Sequence, residues 1–119
     1  MPAPMQAKFG ISLSNRAVLF NWTTMDHLIA AARTAEKSDY FHGVWVGDNL
    51  LSKPRMESIV TLSAIAAHTR TVKLGTICMA SFPLRHPVLL AIQWASLDVL
   101  SQGRTILAVC NGGSESFGP

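Results

Sequence analysis

The sequence predicts an α/β fold in which parallel strands alternate with helices: the N-terminal half of a (β/α)₈ barrel. Three observations carry this. Four short β-rich runs, Lys8–Ser12, Gly43–Gly47, Val72–Ile77 and Thr105–Val109, alternate with three stretches of helical periodicity. Strand starts at Phe9, Val44, Lys73 and Thr105 are 35, 29 and 32 residues apart, a near-constant period that marks repeated βα units. Eight such units need about 250 residues. The 119 residues hold three and a half, so residues 1–119 read as a single partial domain.

The helices follow in order. Thr24 is placed to cap a helix running to about Ser38, with Leu28, Ile29, Ala32 and Ala35 on one face. A second helix is expected from Met56 to His68, burying Ile59, Leu62, Ile65 and Ala66. The third starts at Pro87, which suits a first helical turn, and stops at Gly103. Its apolar positions Leu89, Ile92, Leu97 and Leu100 keep helical spacing. The structural alternative is a doubly wound open sheet, whose first βα turn carries a glycine-rich phosphate loop. Ser12–Arg16 contains no glycine, and no G-x-x-x-x-G-K-[ST] occurs.

Composition narrows the class. With 49% apolar and 14% charged residues the chain is no disordered polypeptide. Ten basic residues against seven acidic ones give +3, but the positives are scattered and form no nucleic-acid footprint. No run approaches the roughly 18 apolar residues of a membrane span, and Met1–Lys8 has no signal-peptide core. Cys78 and Cys110 cannot build a secreted disulfide framework, so the expectation is a reduced, cytoplasmic protein.

Working residues in parallel α/β folds lie at the carboxyl ends of the strands. That selects Ser12–Asn15, Gly47–Asn49, Thr76–Met79 and Cys110–Gly113, all small, polar or sulfur-bearing. Such groups suit a flat polar ligand, and they equally suit plain turns. His27, His42, His68 and His86 have no metal-ligand spacing, and His86 is expected to help start the third helix. Asp98 and Arg104 bracket the end of that helix and are expected to pair with each other. Trp45, Met79 and Trp94 read as core.

Several segments carry a resemblance. Asp39–Asp48 followed by Asn49-Leu-Leu51 resembles the G-F-D-x-V-W-x-x-D-H segment of the luciferase-like flavin-dependent monooxygenases. Ala67–Thr76 and Arg85-His-Pro87 are similar to segments of the same family. The longest match, Ala95–Arg104, resembles its A-x-L-D-x-L-S-x-G-R. The set runs in order from Phe9 to Gly113.

The resemblance implies a barrel that binds FMN, or 8-hydroxy-5-deazaflavin in sister members, at the strand ends. It implies an oxidoreductase for a small organic substrate: a monooxygenase using reduced flavin and dioxygen, or a deazaflavin-dependent dehydrogenase. A separate flavin reductase is an expected partner. The resemblance also implies a homodimer through the second and third helices, where Ala64, Ala67, Ala91 and Ala95 permit close approach. The third strand is expected to end in a bulge with a cis peptide at Ile77–Cys78 in the complete enzyme. Thr76, Ile77, Cys78, Cys110 and Asn111 map to the cofactor-lining positions. The family's Asp-His after the second strand is Asp48-Asn49 here, and asparagine cannot titrate, so these two are only weak catalytic candidates. A non-catalytic fragment of such an enzyme is the alternative reading. Cys110, before a glycine pair, is expected to be the more reactive of two free thiols.

Overall fold

The computed structural model describes residues 1 and 6–111; Gly112 and Gly113 of the fourth strand-end cluster lie outside them. In chain order the elements are β1 (Phe9–Leu13), α1 (Asn15–Leu19), α2 (Met25–Lys37), β2 (Phe41–Asp48), α3 (Ser58–His68), β3 (Lys73–Met79), a 3₁₀ turn (Phe82–Leu84), α4 (Pro87–Ser101) and β4 (Thr105–Ile106). The strands form one parallel sheet in the order β1-β2-β3-β4. Sequential parallel neighbours joined by helices are the arrangement that a barrel repeats. No helix among the described residues is long and apolar enough to cross a membrane.

Local chemistry explains the helix starts. Thr24 accepts the His27 N–H at 3.2 Å and caps α2 as expected. Glu57 caps α3, accepting from the Val60 N–H at 2.8 Å. His86 occupies the N-cap of α4 without a side-chain capping bond, so Pro87 carries the start. At its other end the chain turns left-handed at Gln102 (φ 60°) and again at Gly103 (φ 77°), whose N–H bonds the Asp98 carbonyl at 2.9 Å. Helix α1 was not expected. Ser14 starts it by accepting the Ala17 N–H at 3.3 Å, a cap hidden inside the polar run Ser12–Asn15.

The core lies between the sheet and the helices. Leu13, Val44, Val46 and Leu74 meet Leu28, Ala32 and Ala35 of α2, and Ile59, Leu62, Ile65 and Ala66 of α3. Those two helical faces match their expected residues. On α4, Leu90, Trp94 and Leu97 pack inward, while Leu89, Ile92 and Leu100 are each more than half exposed. All these positions keep helical spacing, so periodicity alone could not choose between the faces.

Arg104 locks the helix ends. It is 7% exposed and donates to the carbonyls of Ala66, Thr69, Val72 and Ser101 and to the Thr69 hydroxyl. Asp98 instead accepts from the Thr105 N–H and hydroxyl, so the expected Asp98–Arg104 pair does not form. Each group is structural, with its own partners.

No helix among the described residues covers the second sheet face. Strand alternation points Gly43, Trp45, Gly75 and Ile77 to this side and Leu74 to the core. The Trp45 ring lies across three strands. A Cβ on Gly43 would come 3.2 Å from its Cζ2, one on Gly75 would come 2.5 Å from its Cζ3, and one on Gly10 would overlap Nε1. Only glycine lets the indole lie flat there.

Parallel sheets are stable when both faces are covered. With one face bare, and Val88, Leu89, Ile92, Val99 and Leu100 exposed along α4, the isolated chain is expected to associate. Sedimentation should show dimers or larger species, and Ile92→Glu together with Val99→Glu should shift them toward monomer if α3 and α4 carry the contact. A monodisperse wild-type monomer would contradict the first expectation; unchanged association in the double variant would contradict the second.

Candidate functional site at the carboxyl ends of the strands

The β3 end is irregular in the way that matters for a site. Between the pairs Val46–Thr76 and Asp48–Met79 the ladder takes two steps on β2 and three on β3. That extra residue is a β-bulge at Ile77–Cys78, where the resemblance places one. The bond itself is trans, since no described peptide is cis. The bulge leaves Ile77 55% exposed, while Met79 returns to the core fully buried. Beyond the bulge, Met79 N–H donates to the Ala108 carbonyl at 2.7 Å, and one further bridge joins Met79 to Val109. β4 is therefore a two-residue strand plus an isolated bridge, shorter than the expected Thr105–Val109.

Above Trp45 the strand ends enclose a cleft of about 360 Å³, lined by Gly10, Ser12, Trp45, Thr76, Ile77 and Ala108. Two of the five expected lining residues, Thr76 and Ile77, line it. Thr76 lines the cleft while its hydroxyl donates to the Ala108 carbonyl at 3.0 Å. Ile77 forms a wall, and Cys78 and Cys110 meet beside it. Asn111 is exposed at the end of the described residues. Trp45, expected only as core, is the floor.

Cys78 and Cys110 are bonded to each other, with Cα atoms 5.9 Å apart. This separation is the common one for a disulfide. It corrects the expectation of two free thiols with Cys110 the faster. The bulge and the Met79–Val109 bridge hold the two strand ends in register, and this brings the sulfurs together.

Asp48 lies on the opposite face from the cleft, among the helices. Its Oδ1 accepts from the Ser58 hydroxyl at 2.7 Å and Arg85 Nη2 at 3.0 Å; its Oδ2 accepts from the Ser81 N–H at 2.8 Å. Arg85 also bonds Glu57 at 2.7 Å and the Ser81 hydroxyl at 2.7 Å. The Asp48 side chain is 1% exposed and that of Arg85 10%. Burial by itself raises the carboxyl pKa, but the bonds from Ser81 and Ser58 and the Arg85 charge outweigh it and leave Asp48 below its ordinary value. Both oxygens are committed, so this weak catalytic candidate is an anchor joining β2, α3 and the segment after β3. The Asn49 side chain accepts from the Ser52 N–H at 3.0 Å and shapes a turn. Sequence reasoning missed Ser58, Ser81 and Glu57 because nothing in their spacing marks them. Arg85 sits in one of the quoted resemblance segments.

A larger cavity, about 480 Å³, opens at the other end of the sheet between Gln6–Phe9, Glu36, Asp39–His42 and Thr71–Val72. One of its two carboxylates, Glu36, is already used. Glu36 Oε1 accepts from the N–H groups of Arg70, Thr71 and Val72, which hold its pKa down against the opposing effect of burial. Among the described residues no cluster could hold a metal ion.

Replacing Asp48 by Asn strands the buried Arg85 with only Glu57. The cost is expected to be about 3 kcal/mol in chemical denaturation, the lower end for breaking a buried pair. Because the folded pKa lies below the unfolded one, about 3.9, the carboxylate's contribution is complete above that value and lost as pH falls through the folded one. Acid should therefore cost the variant less than the wild type below about pH 4; parallel pH profiles would contradict this.

Residues 6–117 match the family model described as luciferase-like monooxygenase. No curated protein matches. Among solved structures, the coenzyme F420 dependent tetrahydromethanopterin reductase from Methanopyrus kandleri superposes with a TM-score of 0.74 at 25% identity, over 95% of this chain and 29% of that one. The monooxygenase RslO1 from Streptomyces bottropensis superposes with a TM-score of 0.65 at 30% identity, over 87% of this chain and 32% of that one. The chain thus spans about a third of the length of either enzyme. From Gln6 through the strand-end cleft and beyond, it belongs to the luciferase-like monooxygenase family.

Proposed function

We propose that this chain supplies the β1–β4 wall of a flavin-dependent oxidoreductase of cytoplasmic type, a monooxygenase acting on a small organic substrate with reduced FMN and dioxygen. The observation that carries the reading is the β3 bulge, which turns Ile77 out of the sheet beside a cleft floored by an indole. The residues present fit a planar ring system: Ile77 offers an apolar wall, Trp45 an apolar floor, and Ser12 the polar group at the edge. Cys78, Cys110 and Asn111 would border the ring, with Thr76 holding β4 in place behind it.

The cofactor, when bound, supplies the redox chemistry; the protein positions it and excludes water. Asp48 and Arg85 serve this by fixing the strand ends, and proton handling falls to other groups. Reduced flavin would come from a separate reductase. Two copies would pair through the exposed apolar stripe of α4 together with α3. A second reading, a deazaflavin-dependent dehydrogenase, is favoured by the likeness to the F420-dependent reductase.

Titration of the purified chain with FMN and with a deazaflavin, followed by visible absorbance and fluorescence quenching, tests the reading. Saturable binding of FMN, weakened at least tenfold by Ile77→Asp, supports it. Preference for the deazaflavin supports the second reading. Binding of neither would contradict both and leave a non-catalytic chain.

A further inference from the structure

Two buried polar atoms among the described residues have no partner, and both lie at the carboxyl end of β2. One is Asn15 Oδ1. Asn15 is fully buried, and its Nδ2 is already spent on the carbonyls of Gly47 at 2.9 Å and Met56 at 2.8 Å. The other is Arg55 Nε. The Arg55 guanidinium crosses the lumen face of the sheet directly over Gly47. A Cβ there would overlap Nη1, would come 2.9 Å from Cζ, and would stand 3.6 Å from Asn15 Oδ1. An unpartnered cation and an unpartnered acceptor thus converge on one point, two residues beyond Trp45 on the cleft side.

Among the described residues no carboxylate forms an ion pair with Arg55. The ion pairs among the described residues both belong to Arg85, which takes Asp48 and Glu57. Burial and the like charge of Arg16 lower the Arg55 pKa, against a smaller opposing pull from Asp48. Buried donors and acceptors are rarely left unmade, and a guanidinium is the side chain suited to an oxyanion.

We infer that Arg55 and Asn15 form a binding subsite for an oxyanion that carries an adjacent hydroxyl, a hydrogen phosphate or an α-hydroxy carboxylate. The guanidinium donates to the anionic oxygens, and the hydroxyl donates to Asn15 Oδ1. Gly47 is required because a Cβ there would overlap Nη1 and displace the guanidinium. The subsite stands on its own geometry and does not depend on which cofactor the cleft takes.

The test is titration of the arginine-¹⁵N-labelled chain with inorganic phosphate, glycolate and acetate, reading the Arg55 Nε–Hε resonance. Saturable shifts with phosphate and glycolate, with acetate at least fivefold weaker, are expected. Saturation by phosphate alone supports the subsite and assigns it to a phosphate group; saturation by glycolate alone supports it and assigns a hydroxy acid. Arg55→Gln should weaken binding at least tenfold, judged from the remaining arginine resonances and melting temperature. Arg55→Lys, which keeps the charge without the planar fork, should weaken it severalfold. Lys53→Gln removes the same charge from the same loop and should change nothing. Absence of saturation with all three ions, acetate binding as tightly as glycolate, or an equal loss in Lys53→Gln would overturn the assignment.

Discussion

A single carboxylate, buried where β2 leaves the sheet, organises the carboxyl-end side of the strands. Asp48 holds the first turn of α3 through Ser58, the chain after β3 through Ser81, and the approach to α4 through Arg85. A charge taken out of water is tolerable only when its oxygens are all satisfied. The segments that satisfy it are therefore held in place. Asp48 also pairs with Met79 across the ladder, so the same anchor fixes where β3 resumes after its bulge. The bulge, the outward Ile77 and the meeting of Cys78 with Cys110 follow from that registration.

The two faces of the sheet have different work. The helical side is a conventional aliphatic core, stabilised by burial and closed at the far end by Arg104, whose five hydrogen bonds go to carbonyls and a hydroxyl and none to a carboxylate. The other side is nearly bare backbone: Gly10, Gly43, Gly47 and Gly75 admit one indole and one guanidinium flat against the strands. Glycine weakens a strand, and four on one face make sense where flat groups must approach closely. The result is a shallow floor with a charged rim at β1–β2 and an apolar wall at β3–β4.

Much of this was legible in the sequence, for identifiable reasons. The 30-residue period and the runs of Val and Ile give the parallel order without reference to contacts. Thr24, Pro87 and Gly103 mark helix ends because capping is local chemistry. Long-range choices were not legible. Leu89 and Leu90 are both leucines on the same helix, and only the sheet decides which one is buried. Asp48 reads as a polar strand-end residue, and its anchoring role depends on Ser58, Ser81 and Arg85, 10, 33 and 37 residues away. The cysteines, 32 residues apart, fall at neighbouring strand ends but read as free thiols because a disulfide is out of keeping with a cytoplasmic setting. The resemblance supplied the bulge, which no propensity marks.

On the proposed function, the carboxyl ends of the strands, and not the larger cavity at their amino ends, would face the cofactor. Backbone amide shifts on adding FMN to the ¹⁵N-labelled chain test this most directly. Perturbation is expected at Ser12, Trp45, Thr76, Ile77 and Cys110, with Glu36, His42 and Thr71 unmoved. Perturbation concentrated at Glu36, His42 and Thr71 would contradict it.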